Sequence, residues 1–407
     1  MDERDHKKLG PELELFYIDP VVGKGLPMFL PKGTIVKREL EKFVIEEETK
    51  RGYLHVSTPD IANLDLYKKS GHYPHYKDSM YAPIVIDDEE YMLRPMTCPH
   101  HFQMYSMKPR SYRELPMRIA ELAQLYRYEQ SGELMGLIRT RNFCLADAHI
   151  ICASEEQAVE EIGGALDLIE HMNGVFGLEL GKDYRYRLSQ GDRTNQEKYP
   201  GNEIAWDKAE NLLRVLMQQR GVEFEEAAGE ASFYGPKIDV QMKNANGKED
   251  TAFTVQYDFV MPERFDLTYI GEDAQEHRAF VVHRSSIGSI GRTMAFLIEK
   301  YAGAFPVWLS PVQTVVIPVA EAHAEYAKSV AAELLEGGVR AEVDASPETL
   351  GKRIRDAKTG KVPYILVVGE KEVTDDSVSV ESRTEKMGAV PRADFTTRIV
   401  KEIQDRA

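Results

Sequence analysis

Cysteine is scarce in this chain. Three residues in 407, Cys98, Cys144 and Cys152, cannot all pair. So few in so large a chain point to a reducing compartment rather than a disulfide framework. Long apolar runs are missing too: nothing approaches the roughly 20 residues that a membrane-spanning helix needs, so no membrane partner is expected. The N-terminus, MDERDHKKLGPELELF, is too charged for a signal peptide and too acidic for a transit peptide, which leaves the cytoplasm as the expected location. Positive charge is also short. Lys and Arg number 51 against 67 Asp and Glu, a formal net charge of −16. That argues against broad, nonspecific binding to nucleic acid. A nucleic-acid partner would have to use local basic patches with salt-sensitive phosphate contacts. Lys108–Arg118 and Lys352–Lys361 are two candidates, although solvated helix faces have the same composition.

What is present suits a globular protein of two or three domains, since 43% of the residues are hydrophobic and 29% charged. The most informative stretch is 125–151, LYRYEQSGELMGLIRTRNFCLADAHII. It reads as two strands joined by the SGELMG loop. Arg127 and Glu129, two apart, would share a face of the first strand. On the return strand Arg139, Arg141, Phe143, Leu145, Asp147 and His149 would share one face, and the small apolar Cys144, Ala146 and Ala148 the other. Arginines can grip phosphate in bidentate fashion, and an aromatic ring offers a stacking surface for a base. Taken alone, these residues fit a surface hairpin with a salt-bridge ladder equally well.

The pattern R-x-E, a loop, then R-x-R-x-F-x-x-x-D-x-H resembles motif 2 of the class II aminoacyl-tRNA synthetases, in its threonyl form. Other segments agree, and together they cover nearly all of residues 4–407. Residues 33–60 read as a helix carrying Ile35, Leu40, Phe43 and Val44, ended by Gly52, then a strand YLHVSTP closed by Pro59. This is similar to motif 1, the family's dimer-interface element. KKSGHYPHYKDSMY (68–81) is loop-like and similar to the K-x-G-H segment, with His72. In YMLRPMTCPHHFQMY (91–105) Met96, Cys98, Pro99 and His101 match the family. Thr97 stands where it has asparagine, and His100 where it has glycine, a residue that would suit a φ > 0 backbone. A capped helix at 154–178 (Ser154, Gln157), a strand at 184–193 and a helix at 202–221 read as scaffold. Residues 231–259 form a hairpin with a type I′ turn at Asn246–Gly247. On its return strand Thr254, Gln256 and Asp258 share a face. A strand and helix at 279–303, with Gly288, Ser289, Gly291 and Arg292 at the helix start, resemble motif 3, where a helix N-terminus and an arginine favour a phosphate.

A change of pattern near 305–313 places a boundary there, giving domains 1–304 and 305–407. After it come strand VQTVVIPV, a helix with Tyr326, Val330 and Leu334, strand VRAEVDA, a helix capped by Ser346 with Pro347 first, buried strand VPYILVVG, edge strand SVSVES and a closing helix. The fold class expected is α/β (α+β): a mixed, mainly antiparallel sheet flanked by helices, then a smaller α/β domain that looks like the family's anticodon-binding domain.

The resemblance implies a ligase that joins threonine to ATP as threonyl-adenylate and passes the threonyl group to the 3′ end of tRNA(Thr), working as a homodimer. The alternative is a non-catalytic, synthetase-like paralogue that binds tRNA or regulates. Arg127, Arg292 and His72 would be catalytic. Arg127, Glu129, Arg139, Phe143 and Arg292 would hold ATP with Mg2+. Cys98, His149 and His283 match the family's zinc ligands. Asp147, Tyr234, Gln256, Thr254 and Met96 would contact threonine. Arg355, Lys361 and Glu372 would read the anticodon. Departures from the family are Leu145 for glutamine, Asn142 for glycine and Glu381 for arginine. RDHKKLG resembles the first residues of the family's catalytic domain, so the editing region of full-length bacterial members is expected to be missing and serine mischarging to go uncorrected.

Overall fold

The structure is a computed structural model that describes residues 2–199 and 203–406. Two compact units emerge. One comprises the described residues of 18–27 and 41–295, the other those of 1–17, 28–40 and 296–407.

The first unit is built on an eight-stranded sheet. In chain order its strands are β1 (Leu54–His55), β2 (Met117–Tyr126), β3 (Asn142–Cys152), β4 (Tyr184–Gln190), β5 (Phe224–Ala228), β6 (Lys237–Lys243), β7 (Glu249–Asp258) and β8 (Phe280–Ser289). They lie side by side as β5-β4-β6-β7-β8-β3-β2-β1. Pairing is antiparallel except at the two edges, where β5 runs parallel to β4 and β1 to β2. This is the mainly antiparallel sheet that the sequence pattern implies. On one face the helix Glu155–Val175 buries Ile162, Leu166 and Ile169; Ser154 caps it by accepting from the Gln157 amide. On the other face the helix Cys98–Tyr105 lays Phe102 onto Ile119, Ile151 and Val281.

Register decides what stands together on that second face. His149 is paired with His283, and His283 with Gln256. One step along, Asp147 and Thr254 both face Ser285. Cross-strand neighbours of this kind bring side chains within about 5 Å. The register of β3 against β8 then shifts between Ser285 and Ser289. Gly288 sits in that bulge at φ 66°, and a Cβ there would lie 2.0 Å from the Ala252 carbonyl oxygen, so only glycine fits.

Several local expectations are corrected. β2 ends at Tyr126 and β3 begins at Asn142, so Arg127, Glu129, Arg139 and Arg141 stand in the connecting loop. Backbone bonds from Arg127 to Arg141 and from Arg141 to Gly25 replace ladder pairing there. YLHVSTP keeps only Leu54–His55 as strand, because Thr58 is drawn away to Glu121 by its amide and hydroxyl. The 68–81 segment is helical in part: Leu64–Ser70 is a helix ended by left-handed Gly71, and His72 opens the next turn. His100 lies inside the helix Cys98–Tyr105, so no φ > 0 is needed at that place. At the hairpin turn only Gly247 has positive φ, with Asn244 bonded to both Gly247 and Lys248, so the turn is not type I′. The helix expected at 202–221 is seen as Glu203–Gln219, and Asn202 lies outside the described residues.

The second unit has a five-stranded sheet of β9 (Thr314–Pro318), β10 (Ala341–Val343), β11 (Tyr364–Val368), β12 (Ser377–Ser382) and β13 (Lys386–Pro391), ordered β10-β9-β11-β12-β13. β9 is parallel to β10 and β11, and the rest is antiparallel. Helices Ala324–Glu336 and Arg392–Gln404 share one core with Leu366 and Val380, while Leu350–Thr359 packs through Ala357 and Ile354 on Ile317 and Ile365. SVSVES is β12, an interior strand rather than an edge, because β13 pairs with it. The helix expected to start at Pro347 starts at Leu350, with Thr349 as its cap. Asp344 binds the Ser346 amide and spends those residues on a turn.

Candidate functional site

A cavity of about 300 Å3 opens over the middle of the large sheet, between the ends of β3, β7 and β8 and the loop that joins β2 to β3. At its floor the Cys98 sulfur and nitrogens of His149 and His283 lie within 4.8 Å of one another, all three buried. Both imidazoles are oriented from behind. His149 Nδ1 meets His101 Nδ1 at 2.8 Å, and His101 Nε2 meets Glu121 at 3.2 Å. His283 Nε2 meets Asp258 at 2.6 Å. Each ring therefore keeps one nitrogen for the cluster, as metal-binding histidines with outer partners do. Burial pushes the Cys98 thiol well above its ordinary range, reinforced by Asp147 and Asp258, and drives His149 toward the neutral form. One soft thiolate and two imidazoles suit Zn2+, with a further position open.

Beside this cluster Asp147 accepts from the Thr97 hydroxyl. Burial raises the Asp147 carboxyl above its usual range. The Tyr234 ring stacks on His283 at 4.8 Å, and its hydroxyl donates to Gln256 Oε1 at 2.5 Å. Gln256 Nε2 reaches Thr254 at 3.4 Å. With Met96, these residues line one end of the cavity.

The other end is cationic. The Arg127 guanidinium lies 5.1 Å over the Phe143 ring, with Met96 Sδ 3.3 Å from its nitrogen. Arg139 binds Glu129 at 2.9 Å. Arg292 donates to the Ile138 carbonyl at 2.8 Å and to that of Thr251. Burial lowers Arg292 to about 10, opposed by Asp250 and helped by Arg127 and Arg139, so it stays charged at neutral pH. Three arginines converging on one concave, part-buried space suit a polyphosphate.

Every expected ATP, threonine and metal residue thus borders this cavity. His72 does not. It sits behind Cys98, with Nε2 3.8 Å from the sulfur and Nδ1 2.7 Å from the Ser70 hydroxyl, and burial lowers it to about 3. In the other unit Arg355 and Lys361 line a groove, while Glu372 accepts from the Gly369 amide. Sequence reasoning missed Lys237 and Asp239, which also line the cavity and pair at 2.9 Å. Both stand on β6, the outgoing strand of the 231–259 hairpin. Of the departures, Leu145 lines the cavity, Asn142 accepts from Gln124, and Glu381 pairs with Lys358 at 2.6 Å.

Residues 81–301 match the tRNA synthetase class II core domain (G, H, P, S and T), and residues 313–402 the anticodon binding domain. The chain is 51% identical over 388 residues to a threonine–tRNA ligase of Chloroherpeton thalassium, covering 94% of this chain and 58% of that one. It is 48% identical over 409 residues to that of Thermus thermophilus, covering 99% and 61%. It thus spans about three-fifths of these curated relatives. A crystal structure titled as the RNA binding domain of threonyl-tRNA synthetase from Cryptosporidium parvum superimposes with a TM-score of 0.92 at 35% identity, covering 98% of each chain.

Proposed function

The chain belongs to the class II aminoacyl-tRNA synthetases, on their threonyl branch, and from that premise we propose that it is a threonine–tRNA ligase. The reading rests on one observation above the others: a Cys-His-His cluster and a carboxylate at one end of a cavity whose other end holds three arginines.

In this reading ATP lies along the arginine end. Arg127 faces the α-phosphate, where charge develops as the threonine carboxylate attacks and the bond to the β-phosphate breaks to release pyrophosphate. Arg139 and Arg292 hold the far phosphates, Phe143 stacks on adenine, and Glu129 accepts from its amino group. Such a reaction depends on alignment and on fixed charge rather than on covalent help from the protein. Mg2+ accompanies the phosphates. Cys98, His149 and His283 would hold Zn2+, which when bound offers a Lewis-acid site to the amino and hydroxyl groups of threonine. Asp147 accepts the hydroxyl proton, and Tyr234 and Gln256 position the amino group. His72 supports Cys98 from behind. Arg355, Lys361 and Glu372 contact the anticodon. We further propose a domain boundary at 304/305, a cytoplasmic location in keeping with three cysteines that form no disulfide, and a homodimer. Among the described residues no helix is long and apolar enough to cross a membrane.

The test is ATP–pyrophosphate exchange with each of the twenty amino acids. Exchange driven by threonine, with serine weaker and valine negligible, supports the reading. Exchange with none of them leaves only the non-catalytic paralogue.

A further inference from the structure

Thr97 stands at the N-cap of the helix Cys98–Tyr105 and is fully buried. A threonine in that place ordinarily turns its hydroxyl to the free amides of the first turn. Here no side-chain cap bond forms, and the backbone, at φ −97° and ψ −24°, is helical rather than extended. The Thr97 carbonyl accepts from the His100 and His101 amides at 2.9 and 3.3 Å. The hydroxyl is given instead to Asp147 Oδ2.

Asp147 depends on that donor for its orientation. The torsion that turns a carboxylate is broad and two-fold, so packing alone does not fix which oxygen faces a ligand. Across the neighbouring strands Asp147 faces Glu121 and Ser285. Glu121 is committed to Arg94, His101 and Thr58, and the buried Ser285 hydroxyl makes no hydrogen bond. Among the described residues, Thr97 alone donates a hydrogen bond to the Asp147 carboxylate. Asp147 borders the cavity and Thr97 does not, so the contact comes from behind.

We propose that Thr97 is a positioning residue for selection of the amino acid: its hydroxyl holds Asp147 Oδ2 and thereby presents Oδ1 to the hydroxyl of the substrate. The proposal rests on the ligase reading above, which gives Asp147 that substrate contact. Asp147 then carries one secondary alcohol on each oxygen, its own chain's behind and the substrate's in front. The role falls on a position where the chain departs from the family's asparagine. It bears on recognition of the substrate hydroxyl, and not on ATP or on the amino group.

Threonine-dependent ATP–pyrophosphate exchange tests this with two variants. Thr97→Val keeps nearly the same shape and removes the donor, whereas Thr97→Ser keeps the donor and loses a methyl. A hydrogen bond to a charged group is worth roughly 10–100-fold, so Thr97→Val should raise the KM for threonine by about that factor, with kcat changed less than about threefold. The KM for ATP, the metal bound per chain and the inhibition constant of valine, which has no hydroxyl for Asp147, should not change. Thr97→Ser should keep a threonine KM close to that of the wild type. Where Thr97→Val does not fold, Thr97→Ala also lacks the donor and serves for the same comparison. A donorless variant with the wild-type threonine KM overturns the proposal and leaves the ligase reading intact. So does a rise that Thr97→Ser shares, or one that extends to ATP or valine, because that is a loss of packing. A wild-type chain with no threonine-dependent exchange overturns the ligase reading itself, and the proposal with it.

Discussion

Glu121 offers a sharp test of how the metal-ligand floor is held together. Its carboxylate is 4% exposed and binds Arg94 at 3.0 Å, His101 at 3.2 Å and Thr58 through both amide and hydroxyl. Burial alone would raise its pKa. The hydrogen bonds from His101 and Thr58 and the charge of Arg94 outweigh that and hold it at about 2, against 4.5 for a free glutamate. At about 1.36 kcal/mol per unit, this depression corresponds to roughly 3 kcal/mol of stability. A depressed carboxyl stabilises the fold in full above its unfolded pKa, and the contribution is lost as pH falls from about 4.5 toward 2. Glu121→Gln should therefore lower the melting temperature of the first unit at pH 7 by roughly 5–15 °C. The gap from wild type should shrink as the pH is brought from 5 to 3. Calorimetry at several pH values measures both effects. A gap under about 2 °C at pH 7, or one that does not change with pH, refutes the reasoning.

Further outcomes are expected. Elemental analysis of untagged wild-type protein should find zinc, and Cys98→Ser should lose it and with it threonine activation; wild type that activates threonine without metal would overturn the assignment. Serine should be activated within about 10–200-fold of threonine, since one methyl discriminates no more than that, whereas valine should fall about 10⁴-fold or more below. Asp147→Asn should narrow the threonine–valine gap in the same exchange assay. Gly288→Ala should destabilise the first unit by about 2–4 kcal/mol or prevent its folding, because its Cβ collides with the Ala252 carbonyl, and thermal unfolding would show this. Light scattering at micromolar concentration should give the mass of a dimer.

How far the sequence could be read depended on what kind of information each position carried. Alternation told which residues of 143–149 point together, and the sheet confirms Cys144, Ala146 and Ala148 as buried on the far side. Alternation could not show where the strands stop. Arg127 and Arg139 reach the cavity from a loop fixed by Gly25, far away in sequence. The grouping of Cys98 with His149 and His283 came from resemblance, because three ligands on a helix and two strands have no short spacing to recognise. The cap at Thr349 was missed because Ser346–Pro347 is an equally good local signal, and the Asp344 turn that decides between them is only visible in three dimensions. β12 looked like an edge since nothing in Lys386–Pro391 announces a strand, with a glycine in it and a proline at its end.

The pairing of His149 with His283 has a kinetic consequence. The two strands are neighbours in space but far apart along the chain, and a whole helix, a strand–helix–strand passage and a hairpin must be threaded between them. Contacts of such long range are closed late and slowly. A slip of one residue in either strand would turn its imidazole to the opposite face. The ligand cluster therefore exists only in chains that have completed the sheet in the right alignment. An ion with affinity for that cluster would act as a selective trap for correctly folded molecules, leaving misregistered ones exposed to degradation.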